Sequence, residues 1–548
     1  MIRNKFNFIG LLGIYFIVVM HIYIKNNGGI GFTFPANITG MIFIAIFIIS
    51  ILWQTRRFSS IQVSRALPYV VAGVVLLILP VFWSENPWRN TALLRFLVLL
   101  TGLCFYFLLL QCKLSRQDKI KILTILLLAV STEALLGMVQ YYVFAPDNFM
   151  RYNTLINRPY GIFQHVNVMA SFMATGMVIA LYLWQQNTIS RRVRQLAGLV
   201  LVLTPCLLVL SGSRIGLLTV LIISPLQIRF ILCNNRLSGF KAIGLIITGI
   251  AGAIFSLFVI NGGRPLEQFS DVHDRLIAWE ISLKMFSMKP LTGWGYGQFY
   301  ASFLHTLHQY YPALDESYHL QHPHNEILFW SVEGGLPALA GIATGILGFL
   351  YSFCSSLRPA IPGFWQRLCN SDWLLPLPIL MHMMVELPLY QSAAHGIMLL
   401  VLLRLCEKKR CIHVGINLLP YRLFIFWLAR ILLFYMLIGL WVSHKLVRVE
   451  RQGLCGVATL ESISLPNPLQ SRLEWNRKSG TLMRDSQNQN KNSLDEYREW
   501  AEEYVRVKPD ASIYKNLMNI AILQEESENY TYWKERGRYL FPANTSFQ

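Results

Sequence analysis

Charge is what this 548-residue sequence has least of. Only 14% of its residues are charged, against about 25% in an ordinary globular protein, while 54% are hydrophobic. That shortage excludes a string of soluble domains. The apolar residues stand in blocks long enough to cross a bilayer, which takes ~20 residues of helix. In lipid each such segment must satisfy its own backbone hydrogen bonds, so the blocks read as helices. A continuous basic face is also missing, despite a formal charge of +19. The basic residues sit in short loops between apolar runs, which fits membrane topology and excludes a nucleic-acid surface. The nine cysteines form no CxxC pair, and only Cys455 falls in the long polar tail. Neither a disulfide framework nor a cysteine zinc site is implied. No small-residue cleavage site follows Met1-Ile2-Arg3-Asn4-Lys5, so the first apolar run reads as a span.

Thirteen spans are expected, near residues 7–24, 38–53, 67–82, 93–110, 122–143, 162–184, 196–210, 215–231, 242–260, 326–352, 373–389, 395–405 and 422–442. With the N-terminus cytoplasmic, one set of alternate loops carries Arg56, Arg57, Arg65, Lys113, Arg116, Lys119, Lys121, Arg191, Arg192, Arg194 and further lysines and arginines through Arg410. The opposite short loops hold only Lys25, Arg89, Arg151, Arg158 and Arg214. This asymmetry is the positive-inside pattern, and it places two large polar segments outside the cytoplasm. The expected organisation is a membrane bundle over 1–260, an external loop over 261–325, further spans over 326–442 and an external tail over 443–548. From Ser493 the tail has helical periodicity: Tyr497, Trp500, Ala501, Tyr504 and Val505, then Tyr514, Leu517, Ala521 and Leu523, with Pro509-Asp510 between. Paired helices with small residues inside and a proline at the turn resemble a tetratricopeptide-like unit.

Three features on the external side can carry chemistry. The loop before residue 326 holds five histidines, at 305, 308, 319, 322 and 324, ending His322-Pro323-His324-Asn325-Glu326. The spacing fits a metal site that uses His322, His324 and Asp315 or Glu316. It also fits interfacial histidines at a helix start capped by Asn325, or a single imidazole acting as general base. Arg158, Arg214 and Arg275 are cations on a face where positive-inside sorting disfavours them. They read either as structural cations, or as a clamp for a phosphorylated lipid, because the guanidinium fork matches phosphate oxygens. His382 and Glu386 lie within an expected span and four apart, hence on one face of a helix. Ionisable groups in lipid are expensive and turn towards the bundle interior. Gly293-Trp294-Gly295-Tyr296-Gly297 follows no strand and reads as a tight backbone turn.

The run His322-Pro323-His324-Asn325-Glu326, then Glu333-Gly334-Gly335-Leu336-Pro337, with Asp274-Arg275, Trp279 and Pro290-Leu291-Thr292-Gly293-Trp294-Gly295-Tyr296-Gly297 upstream, resembles the O-antigen ligase/polymerase superfamily. Gly161-Ile162-Phe163-Gln164 with Asn167, His382 with Glu386-Leu387-Pro388, and a polar tail after the last span resemble its PglL-type protein O-oligosaccharyltransferases. The resemblance implies an all-α polytopic fold of the GT-C-like kind in a Gram-negative inner membrane, with its site facing the periplasm. It implies transfer of a preassembled oligosaccharide from undecaprenyl pyrophosphate to Ser or Thr of a periplasmic, pilin-like protein, with no cofactor and no metal. By the same resemblance His324 is the base, and Arg214 and Arg275 stabilise the pyrophosphate. Arg158, Gln164, Asn167, His322, Asn325, Tyr296, His382 and Glu386 surround the substrates. Rivals keep the donor and change the acceptor, to lipid A–core for a ligase or another glycan for a polymerase. A transporter of lipid-linked glycans would instead use His382 and Glu386 as a proton relay.

Overall fold

The computed structural model describes residues 5–54, 60–259, 271–312, 314, 319–357, 368–369, 371–407, 409–413, 418–485 and 491–548. Its helices are α1 (Lys5–Gly13), α2 (Pro35–Gln54), α3 (Leu67–Ile78), α4 (Trp88–Gln111), α5 (Arg116–Tyr142), α6 (Val166–Trp184), α7 (Arg191–Ser211), α8 (Arg214–Asn234) and α9 (Arg236–Val259). There follow α10 (Asp271–Met288), α11 (Phe299–Tyr310), α12 (Glu326–Ser356), α13 (Leu377–His382), α14 (Pro388–Gln391), α15 (Ala393–Cys406) and α16 (Leu419–Arg451). The tail adds α17 (Ala458–Glu461), α18 (Gln470–Asp485), α19 (Lys491–Val507), α20 (Ala511–Leu523) and α21 (Ser527–Leu540). One antiparallel ribbon departs from the helical pattern, pairing β1 (Ser60–Ser64) with β2 (Lys409–His413).

Among the described residues nine helices are long and apolar enough to cross a membrane: α2, α4 to α9, α12 and α16. Phe8–His21, Leu67–Phe82 and Ala393–Cys406 are shorter apolar helices over three further expected spans. The expected span 373–389 is not one helix. It breaks into a 3-10 turn at Asp372–Leu374, then α13, then turns ending at Pro388, where α14 starts. Pro376, Pro378 and Pro388 lack the N–H that a continuous helix needs, and the residue before a proline is pushed out of the α region. His382 therefore ends a helix and Glu386 sits in the turns after it, joined by Glu386 N–H to His382 O at 3.0 Å.

Helix ends follow local chemistry. Ser115 and Asp118 form a reciprocal capping box at the start of α5, satisfying two donors the helix cannot. Gly212 ends α7 at φ 60°, a left-handed position that costs a glycine little.

The chain divides into two compact units. The first comprises Met1–Pro68, Leu100–Pro265 and Leu347–Leu440; the second comprises Tyr69–Leu99, Leu266–Ile346 and Trp441–Gln548. In the first, α6 is the central element: 83% of its apolar window is buried, and it packs against α5, α7, α8 and α13. In the second, α19 to α21 share an apolar core of Tyr497, Ala501, Val505, Tyr514, Leu517 and Trp533. The expected tail periodicity matches that core at Tyr497, Ala501, Val505, Tyr514 and Leu517, with Trp500 and Tyr504 partly buried against it, while Leu523 is exposed.

Candidate active site

In the second unit the chain enters α12 through His322-Pro323-His324-Asn325. Asn325 caps the helix, its side-chain oxygen accepting from Leu328 N–H at 3.0 Å. His324 has φ 51°, a left-handed conformation uncommon for a residue with a Cβ. The His322 and His324 rings meet edge to face at 4.6 Å between centroids. Trp279 of α10 donates its indole N–H to Pro323 O, between the two histidines, at 2.9 Å. Arg275 lies four residues before Trp279 on α10. Residues four apart share a helix face, so Arg275 stands on the side of α10 that holds the histidine turn. Glu280 on the same helix is engaged by Lys284 at 2.7 Å and by Tyr311 O–H at 2.9 Å. Those two bonds keep its carboxyl below the usual carboxylate range.

The other three loop histidines serve the tail. His308 Nε2 meets Leu540 O of α21 at 2.8 Å, His305 faces Arg536 at 3.4 Å, and His319 packs edge-on against His308 and Phe541. The cluster that is one run in sequence is two sites in space. Asp315 and Glu316, the carboxylates of the metal reading, lie outside the described residues. Among the described residues no three His, Cys, Asp or Glu side chains gather as a metal would require.

Behind the histidine turn, α12 is interrupted at Gly335 (φ 64°, ψ −156°). The turn 293–297 fills the notch, with Trp294 N–H on Val332 O at 3.0 Å and Gly295 N–H on Glu333 O at 2.9 Å. Gly293 has φ 70° and faces the Glu333 carbonyl where a Cβ would stand. The glycine run is thus a backbone turn fitted to a broken helix. Glu333 accepts from Arg95 of α4 at 2.5 Å and from Gly297 and Phe299 N–H at 3.0 and 3.2 Å. The Arg95 guanidinium lies 4.7 Å over the Phe329 ring. Tyr296, expected near substrate, is wholly buried and gives its hydroxyl to Leu77 O at 2.5 Å. Its part here is packing.

In the first unit the segment 158–167 and the α7–α8 corner come together. Arg158 Nε donates to Ser211 O at 2.8 Å, and Ser213 O–H donates to Asn167 Oδ1 at 2.8 Å. Arg214 follows Ser213 as the first residue of α8 and is exposed. A helix N-terminus beside two guanidinium groups favours anions. Gln164 ends the short 3-10 turn at φ 55°. That turn is held from α5 by two buried side chains seven residues apart. Gln140 Oε1 accepts from Tyr160 and Gly161 N–H at 3.0 and 2.8 Å, and Glu133 Oε2 accepts from Ile162 N–H at 3.1 Å. Gly161 has φ 61° and faces Glu133 where a Cβ would stand.

His382 and Glu386 are fully buried. His382 Nδ1 meets Ser171 Oγ at 2.8 Å, and Ser171 Oγ meets His395 Nε2 at 3.0 Å. Gln391 donates to Glu386 at 3.3 Å. These bonds tie the broken helix to α6 and α15. Sequence reasoning missed Arg95, Glu133, Gln140, Ser171 and His395. Arg95, Glu133 and His395 were visible as ionisable residues in apolar runs; Gln140 and Ser171 carried no comparable signal.

The O-antigen ligase family matches residues 197–343, which contain Arg214, Arg275, Tyr296, His322, His324 and Asn325. The protein glycosylation ligase family matches residues 159–184, with Gln164 and Asn167. The C-terminal family of virulence factor membrane-bound polymerases matches residues 372–548, with His382, Glu386 and the tail. No curated protein matches the sequence.

Proposed function

Because the chain belongs to the superfamily of O-antigen ligases and protein glycosylation ligases, we propose that it transfers a preassembled oligosaccharide from undecaprenyl pyrophosphate to a Ser or Thr hydroxyl of a periplasmic protein. A multi-pass membrane glycosyl-transfer protein is the premise; donor, acceptor and compartment are the proposal. The observation that carries it is the Trp279–Pro323 bond, which fixes a two-histidine turn against the α10 face bearing Arg275.

In this reading the acceptor oxygen attacks the anomeric carbon, and the bond from that carbon to the pyrophosphate oxygen breaks. The hydroxyl proton passes to His324, and undecaprenyl pyrophosphate departs. Arg275 and Arg214 stabilise the charge that grows on the leaving group; Arg158, Gln164 and Asn167 bind the donor. Fixed cations act most strongly where charge develops in the transition state. A pyrophosphate leaves readily, so the reaction requires neither metal nor nucleotide. His322 and Asn325 hold the turn, and His382 and Glu386 support the donor side. The tail, a helical pair of tetratricopeptide-like kind, would dock a pilin-like acceptor. The loop asymmetry of lysine and arginine supports a periplasmic site in the inner membrane.

The ligase match over 197–343 favours a second reading, with lipid A–core or another glycan as acceptor. Co-expression with a lipid-linked glycan pathway and candidate acceptors, with and without His324→Ala, separates them. Sugar on a protein, lost in the variant, supports the proposal. Capped lipid A–core or altered polymer length without protein modification overturns it.

A further inference from the structure

The loop between α5 and α6 presents large apolar side chains outward from a hydrogen-bonded frame. Leu155 is 94% exposed, with Phe149 at 61% and Ile156 at 55%. The loop is built to do so. Asn148 accepts from Tyr152 N–H at 2.9 Å and donates to Tyr152 O and Ala145 O, both at 2.8 Å. Asn153 Oδ1 accepts from Leu155 and Ile156 N–H at 3.0 and 3.3 Å, a side-chain turn that fixes the two residues at the tip. In water, two large side chains held out this way are a liability.

What covers them is legible from their surroundings. An exposed stripe climbs α5 through Leu128, Leu135, Val139 and Tyr142 to Val143 and runs into this loop. Because α5 is apolar and long enough to cross a bilayer, the stripe is its lipid face. Aromatic rings collar the join: Tyr23 packs on Phe149 at 5.5 Å, and Phe144 on Phe149 at 5.6 Å. Aromatic rings of this kind mark the membrane–water boundary. The charges of the loop, Asp147 and Arg151, are both exposed. Tyr152 then stacks edge-on against Tyr160 at 5.1 Å, and Tyr160 begins the turn that carries Gln164.

We propose that the 144–157 loop is a lip inserted into the lipid head-group and upper acyl region, with Leu155 and Ile156 as its wedge, and that the lipid surface is its occupant. It would hold the 158–167 segment at the depth where a lipid-borne substrate presents its phosphates. That last consequence rests on the proposed donor; the insertion does not.

A fluorescent amino acid incorporated at 155 in the full-length chain, reconstituted in phosphatidylcholine–phosphatidylglycerol liposomes, tests this directly. Insertion predicts a blue-shifted emission, quenched at least twofold by lipids brominated near the head group and little by lipids brominated at the chain ends. Emission characteristic of water, unaffected by either lipid, overturns it. A blue shift that needs high protein density and ignores bromine also overturns it, pointing to a second copy as the cover. Neither readout uses glycan transfer, so failure of the lip and failure of the proposed activity are distinguishable.

Discussion

At the scale of single residues, backbone conformation marks the positions that tolerate least change. Gly293 stands at φ 70° with the Glu333 carbonyl beside its missing Cβ. Gly293→Ala is expected to lower stability by more than about 1 kcal/mol, read as a fall in thermal midpoint in detergent. An unchanged midpoint would show that the 293–297 turn does not need this fit. His322 and His324 differ in backbone as well as position, since His324 takes the left-handed conformation. If it is the base, His324→Ala should slow transfer by about 10²–10⁴-fold, and His322→Ala by far less. Equal losses, in rates measured by acceptor mass, would mean that the rings act as one unit.

At the scale of elements, buried pairs and interfaces hold the loops that carry the candidate groups. Arg95 and Glu333 join α4 to the kink of α12, with side chains 14% and 1% exposed. Removing one partner of a buried pair costs roughly 3–5 kcal/mol. Glu333→Leu should therefore unfold early, and Arg95→Met with Glu333→Leu should recover part of the loss. A double variant worse than the single one would contradict a pair as the source. At the α11–α21 contact, burial lowers the pKa of His308 and of His305, with Arg536 adding to the effect on His305. His319 and Tyr539 face the same rings. Their neutral forms fit the docked state, so docking is complete above the ordinary histidine pKa of about 6.5. It weakens as pH falls from there towards the lowered values. Protection of the amides over 527–541, relative to their intrinsic exchange rates, should be lower at pH 5 than at pH 7.5, and equal protection would sink the idea. Element identity was largely legible because apolar runs and tail periodicity are local signals. The eleventh span was misread as continuous because hydropathy is blind to what Pro376, Pro378 and Pro388 do to backbone geometry. The division of the histidines was invisible, because only the folded tail shows that 305, 308 and 319 belong to its interface.

At the scale of the whole molecule, composition and loop charge defined a polytopic membrane protein. The matched ligase and glycosylation-ligase families support glycosyl transfer as its activity. The three flagged arginines stood out in the sequence because positive-inside sorting disfavours cations in those loops, and the histidine turn stood out by its clustered histidines. Arg95 and His395 act through partners more than two hundred residues away in the chain, which one sequence does not reveal. The measurement that bears most directly on the central claim is the intact mass of a purified Ser/Thr acceptor after incubation with the reconstituted protein and an undecaprenyl-pyrophosphate oligosaccharide. The account predicts a single step equal to the whole oligosaccharide, absent with His324→Ala. Stepwise addition of single sugars, a donor chain that lengthens while the acceptor stays unmodified, or full transfer by His324→Ala would contradict it.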